Sequence, residues 1–259
     1  MATNKLFDTH AHYTDERLNG NFSLIDEIFA GDVGYITCVA SDIGDSRACI
    51  ALAEKYPNMY ASVGIHPHEC ERLTDASADI DSLRELSKHK KVVAIGEIGL
   101  DYHYDKEWEQ KQKKYFEAQL SLSEELDMPV IIHDRDAHGD VFDIIRAHPK
   151  ARGIIHSCSE SAEMVKEYVK MGWYISFSGV ITFKNASKIL ESVKATPTDR
   201  ILVETDCPYL APVPMRGRDN SGAYLHFTAE KAAEILGMDY NEFARVSTEN
   251  AKRVFKINY

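Results

Sequence analysis

No stretch of this 259-residue sequence approaches the ~18 consecutive apolar residues that span a bilayer, so no membrane engagement is expected. Residues Met1–Asp8 lack the apolar core of a signal peptide. Cysteine is sparse. Cys38, Cys49, Cys70, Cys158 and Cys207 form an odd set without a Cys-x-x-Cys pair, which suits a reducing cytoplasm better than a disulfide framework. Positive charge is in deficit, with 30 Lys+Arg against 41 Asp+Glu and a net charge of −11. That balance excludes a broad basic face for gripping duplex nucleic acid, whose affinity is dominated by phosphate neutralisation. An enzyme engaging one or two phosphates is still allowed. There is also no Gly/Ser- or Pro-rich linker and no low-complexity tract, so residues 1–259 read as one domain. Nothing marks a stable protein partner.

What is present is an ordinary globular composition, 44% hydrophobic and 27% charged. Short apolar runs alternate with longer amphipathic ones. The strand candidates are Lys5–Thr9, Tyr35–Val39, Met59–Val63, Val92–Ile95, Val130–Ile132, Gly153–Ile155, Trp173–Phe177 and Ile201–Val203. Their brevity and β-branched content fit parallel strands buried on both faces. The clearest helix is Glu107–Leu126, stopped by Pro129, and its Lys-rich start (Gln110–Lys114) reads as a solvated face. Eight strand signals alternating with helical segments predict a single α/β domain, a (β/α)8 TIM-like barrel, a fold that runs to about 250 residues. An open doubly wound sheet is the alternative, since periodicity does not show closure.

The strand ends carry an unusual set of side chains. The first strand runs into Asp8-Thr9-His10-Ala11-His12, and residues i and i+2 of an extended chain face the same side. Glu97 follows the fourth apolar run, His133 the fifth and His156 the sixth, while the eighth leads into Glu204-Thr205-Asp206. In a barrel of parallel strands these C-terminal ends meet at one mouth, where such folds place their chemistry. Any one of these histidines alone reads as a hydrogen-bonded surface or core residue; the six residues in register, four histidines and two carboxylates, point to metal. Four imidazoles and two carboxylates exceed one tetrahedral zinc. They are enough for a binuclear site: His10, His12 and Asp206 on one ion, His133 and His156 on the other, and Glu97 between them. Mixed imidazole and carboxylate ligation suits Zn, Mn or Fe rather than Ca. Such a pair activates a water and clamps a phosphate. Asp206 is the candidate to accept the water's proton, alongside its role as a ligand, and Glu204 the candidate to orient a ligand from behind.

The sequence resembles the TatD family of metal-dependent deoxyribonucleases. The resemblance rests on Asp8–His12, Val63-Gly64-Ile65-His66-Pro67-His68, Ala94-Ile95-Gly96-Glu97-Ile98-Gly99-Leu100-Asp101, Met128–His133, Glu204-Thr205-Asp206-Cys207-Pro208-Tyr209-Leu210 and Thr248–Ala251, which occur in the family's order along nearly the whole chain. It implies a TIM-like barrel and hydrolysis of DNA phosphodiesters, at ends or single strands, by two divalent cations such as Zn, Mn or Mg. DNA is then a substrate held weakly. The resemblance carries metal-ligand roles onto His10, His12, Glu97, His133, His156 and Asp206, with catalytic work on Asp206 and Glu97. It makes His66 a contact to substrate phosphate. Related barrels hydrolyse amides, lactones or esters, the alternative activity; a metal-binding protein without turnover is a third. One departure lies in the loop Pro214–Gly222. Arg216, Gly217 and Asn220 match the family there, whereas Gly222 replaces a proline. Arg216 and Arg218 are candidate phosphate contacts, and the Pro-to-Gly change predicts a more flexible loop.

Overall fold

A computed structural model describes residues 4–103 and 106–257. Met1, Ala2 and Thr3, at the start of the stretch read for a leader, lie outside the described residues. Among the described residues, strands and helices alternate as β1 (Leu6–Ala11), α1 (Phe22–Ala30), β2 (Val33–Cys38), α2 (Ile43–Ala53), β3 (Met59–Val63), α3 (Ala76–Leu86), β4 (Val92–Asp101) and α4 (Glu109–Leu126). The second half repeats the pattern with β5 (Val130–Arg135), α5 (His138–Ala147), β6 (Gly153–Ile155), α6 (Ala162–Lys170), β7 (Tyr174–Phe177), α7 (Ser187–Ala195), β8 (Ile201–Val203), α8 (Leu225–Leu236) and a closing α9 (Tyr240–Val254). The sheet order is sequential from β1 to β8. With a helix after every strand and β8 returning to β1 through an Ala11–Cys207 bridge, this is a (β/α)8 TIM barrel. No described helix is long and apolar enough to cross a membrane.

The chain divides into two compact units, Met1–Cys38 with His156–Tyr259, and Val39–Ile155. In the first, β1 pairs in parallel with β2, Phe7 opposite Tyr35 and Ala11 opposite Cys38. There β7 pairs with β8, Phe177 opposite Val203. Every β1 residue is buried, and Phe7 stacks on Tyr35 at 5.4 Å and meets Phe255 at 5.6 Å. The Thr248–Ala251 block belongs to α9 and works structurally. Thr248 Oγ1 donates to the carbonyl of Lys5 at 3.0 Å, and Asn250 Nδ2 donates to those of Thr198 and Ile201 at 2.8 and 3.0 Å. The last helix is thereby stapled to the start of β1 and β8.

In the second unit β3, β4, β5 and β6 pair in parallel. The fourth strand departs from expectation, continuing past Ile95 to Asp101 with all ten residues buried. Glu97 therefore lies inside the strand rather than beyond it. The continuation depends on close backbone approach. Gly99, at φ +147°, sits opposite His133, where a Cβ would lie 1.9 Å from the His133 carbonyl oxygen. The first strand likewise extends to Ala11, carrying His10 within it.

The predicted Glu107–Leu126 helix appears as a short 3-10 turn, Lys106–Trp108, followed by α4. It ends where Asp127 turns left-handed at φ 52°, ahead of Pro129. Its buried face includes Tyr115, Phe116, Leu120 and Leu122, each contributing about 1.5–3 kcal/mol by burial. Gln112, read from sequence as part of a solvated face, is instead fully buried, as is Gln119 one heptad later. Gln112 Oε1 accepts from the Asp101 amide at 2.9 Å and Nε2 donates to its carbonyl at 3.0 Å. Gln119 does the same for Ile65, at 2.7 and 3.1 Å. These two amides satisfy buried backbone groups at and just past the ends of β4 and β3 that would otherwise be left unpaired.

Candidate metal sites

In the first unit the donors gather where β1 and β8 end. His10, fully buried in β1, and His12 just beyond it turn the same way, bringing their Nε2 atoms to 3.0 Å. Asp206 Oδ1 lies 3.6 Å from His10 Nε2 and 3.4 Å from His12 Nε2. Three donors bonded at ~2.0–2.2 Å around one tetrahedral cation sit about 3.4 Å apart, so the observed spacings bracket what a single ion needs. Burial works against the charge on Asp206, but the hydrogen bond from His12 and the charges of His156, His10 and His12 outweigh it and hold the carboxyl below its ordinary range. Its backbone is left-handed, φ 56°, an uncommon conformation for a non-glycine residue. The neighbours fix it there: the Asp206 amide donates to the His10 carbonyl at 2.8 Å, and Thr205 donates through its amide and hydroxyl to Asp8 at 2.9 and 2.7 Å.

His156, immediately after β6, stacks on His10 with ring centroids 3.9 Å apart. Its Nδ1 donates to Glu204 Oε1 at 2.9 Å, and that oxygen also accepts from the Ser157 amide at 2.7 Å. A ligating histidine typically gives its second ring N–H to a carboxylate in this way, which fixes the tautomer and raises the basicity of the other nitrogen. Glu204, expected to orient a ligand, has that contact.

In the second unit His133 stands between two carboxylates. Its Nδ1 is 2.8 Å from Glu97 Oε1 and its Nε2 3.1 Å from Asp101 Oδ2. His66 Nε2 lies 3.8 Å from the same Glu97 oxygen, and His66, Glu97 and His133 each offer one donor atom within 4.8 Å of the others. Asp101 also meets His68 Nε2 at 2.9 Å. Although burial raises its pKa, the bonds and charges of His133 and His68 hold this carboxyl well below the usual range. Two imidazoles and a carboxylate on one side, with a second carboxylate behind His133, form a donor set chemically suited to a divalent cation.

The structure thus gathers His10, His12 and Asp206 in one cluster with His156 stacked beside it, and Glu97 with His133 in another. His66, expected to touch substrate phosphate, joins that second cluster as a third donor. Asp101 and His68 were missed, although both carried a signal. His66-Pro67-His68 repeats the i, i+2 spacing of His10 and His12, and Asp101 follows Glu97 by four residues on the same buried strand. Arg216 lies 4.0 Å over the Phe183 ring and Arg218 is exposed in the same loop. The loop is not loosened by Gly222. Buried, Gly222 donates its amide to Tyr13 Oη at 3.1 Å, a bond proline lacks, and a Cβ would lie 2.7 Å from that oxygen. Asn220 Nδ2 adds a bond to the Thr205 carbonyl at 2.8 Å, so this end of the loop is anchored beside Asp206.

The family described as TatD related DNase matches residues 7–256. The chain belongs to this family. TatD relatives include the uncharacterized metal-dependent hydrolase YabD of Bacillus subtilis, 43% identical over 98% of this chain and 100% of that one. Another is the uncharacterized metal-dependent hydrolase YcfH of Escherichia coli, 35% identical over 98% and 96% of the two chains. The crystal structure of the TatD homologue YJJV from Escherichia coli superimposes with a TM-score of 0.92 at 26% identity, covering 98% of this chain and 99% of that one. This TatD-family protein is a metal-dependent hydrolase, and its His- and carboxylate-rich strand ends are candidate seats for the metal.

Proposed function

We propose that this TatD-family hydrolase is a deoxyribonuclease that cleaves phosphodiester bonds at single strands or ends of DNA, using two divalent cations of the Zn, Mn or Mg type. The observation that carries the proposal is the convergence of His10 Nε2, His12 Nε2 and Asp206 Oδ1 at separations of 3.0–3.6 Å, in a chain of a family named for DNase activity. On this reading His10, His12 and Asp206 hold one cation. Glu97 and His133 contribute to the other, His66 beside them is the contact to a phosphate oxygen, and His156 is a further donor steered by Glu204. Divalent cations bound there would supply a water acidified to a pKa near 7 and charge to balance the leaving oxygen.

The protein's own part follows from its proton inventory. Asp206 accepts the proton of the attacking water. His10 and His12 restrain the carboxylate, and the left-handed backbone aims it. Glu97 meets one nitrogen of His133, whose second nitrogen is committed to Asp101, so the imidazole cannot rotate away. Incubation of the metal-loaded protein with a single-stranded oligonucleotide should release mononucleotides, and chelation should abolish it. A parallel panel of small amides, lactones and aminoacyl esters should turn over far more slowly. Fully metallated protein that leaves every oligonucleotide intact would overturn the assignment.

A further inference from the structure

We propose that Tyr209, braced by Arg17 and Asp15, is a stacking platform for the nucleobase of a nucleoside monophosphate unit whose phosphate sits at the His10–His12–Asp206 cluster. This rests on the phosphodiesterase assignment and adds to it a residue that positions the substrate.

Tyr209 is 49% exposed. It is nevertheless held firmly. Its Oη donates to Asp15 Oδ2 at 3.0 Å, and the Arg17 guanidinium lies 4.4 Å over its ring. Asp15 in turn takes Arg17 Nε and Nη2 at 3.0 and 3.1 Å, and Asp219 approaches Nη1 at 3.6 Å. Arg17 keeps the Asp15 carboxyl down at about 2, so the brace stays charged across the working range. With its donors turned to carboxylates, Arg17 is poorly placed to grip phosphate. What the assembly offers a ligand is a rigid aromatic plane whose ordering cost is already met. Its location gives it a use: the Tyr209 ring stands edge-on to His12, centroids 6.2 Å apart, and Tyr209 follows Asp206 by three residues. Stacking on one ring tolerates any base, since every base has a π-face, which suits an enzyme acting on DNA without a basic groove.

The test compares binding of dAMP and 2-deoxyribose 5-phosphate to the Mn-loaded full chain by calorimetry. These ligands share the phosphate and differ in the base. Wild type should prefer dAMP by about tenfold, in line with the strength of base–aromatic stacking. Tyr209→Leu should lose that preference while holding deoxyribose phosphate as before, and Tyr209→Phe, which keeps the ring, should retain most of it. Equal affinity for the two ligands in wild type, or a preference that survives in Tyr209→Leu, overturns the platform. The two assignments fail separately. A tenfold base preference in a protein that cuts no oligonucleotide keeps the platform and removes the nuclease. An active nuclease indifferent to the base does the reverse.

Discussion

Glu204 lies fully buried at the end of β8 with its charge directed at His156, and such an arrangement tunes a ligand rather than binding substrate. Glu204→Gln preserves an acceptor for the imidazole N–H but removes the negative charge that makes the other nitrogen basic. Metal affinity, measured by competition with a chromogenic chelator, should fall about tenfold, the lower end of the 10–100-fold typical of such partners, while the urea midpoint of the metal-free protein moves little. Asp15 gives a pH dependence of defined sign. Its hydrogen bonds from Arg17 outweigh burial and lower its pKa from 3.8 to about 2 in the fold. A depressed carboxyl stabilises the fold above its unfolded pKa, and the contribution is lost as pH falls through the folded value. The difference in thermal midpoint between wild type and Asp15→Asn should therefore be constant above pH 5 and shrink between about 4 and 2. A difference that is flat over that interval, or widens on acidification, would contradict the ion pair. Arg17 is about one-third exposed, so the effect is expected to be small and salt-sensitive.

At the level of elements, α4 does for the second cluster what hydrogen-bonded turns do for the first. Gln112 and Gln119 lie seven residues apart on one helical face and each clamps a backbone pair, that of Asp101 and that of Ile65, which precedes His66. Gln119→Leu fills a similar volume but leaves the buried Ile65 N–H and C=O without their partner. At about 1–3 kcal/mol for each of the two orphaned groups, unfolding free energy from urea titration should drop by roughly 2–6 kcal/mol. A loss under 0.5 kcal/mol would mean that water or another group replaces the clamp. This dependence explains what was legible beforehand. His10 and His12 announce themselves by i, i+2 spacing, and His133, His156 and Asp206 by following apolar runs, because strand periodicity and strand termination are local properties. Asp101 stayed hidden because a carboxylate after an apolar run looks like a strand end. Only pairing with β5, permitted by Gly99, carries β4 four residues past Glu97. Gln112 stayed hidden among lysines, since a buried amide is identified by the backbone it satisfies, which is remote in sequence. Gly222 was misjudged for a related reason: glycine suggests freedom until the partner of its amide is known.

For the whole molecule the governing number is charge, −11 over 259 residues. In the first unit a divalent cation would bring +2 against −2 from Asp206 and Glu204, and in the second unit +2 against −2 from Glu97 and Asp101, so that neither cluster keeps a surplus. Asp101 and Glu204 are each buried against a histidine of their own cluster. On the proposed nuclease function, attraction of DNA then depends on direct contact with one or two phosphates, not on a field that gathers the strand from a distance. For single strands log K falls with log salt at a slope of about −0.7 per neutralised phosphate. Going from 50 to 200 mM salt should therefore raise KM for a single-stranded oligonucleotide by about threefold for one contact and about sevenfold for two. A protein gripping 6–10 phosphates of a duplex would lose roughly 10³–10⁵ over the same interval. Initial rates at saturating divalent metal, with KCl as the only variable, make the measurement. A KM that climbs a hundredfold would reveal a basic track along the strand that neither the composition nor the exposed Arg216 and Arg218 accounts for. A shallow slope with unchanged kcat would mean that the bound cations and their histidines hold the scissile phosphate almost alone, leaving the base platform at Tyr209 as the main source of further affinity.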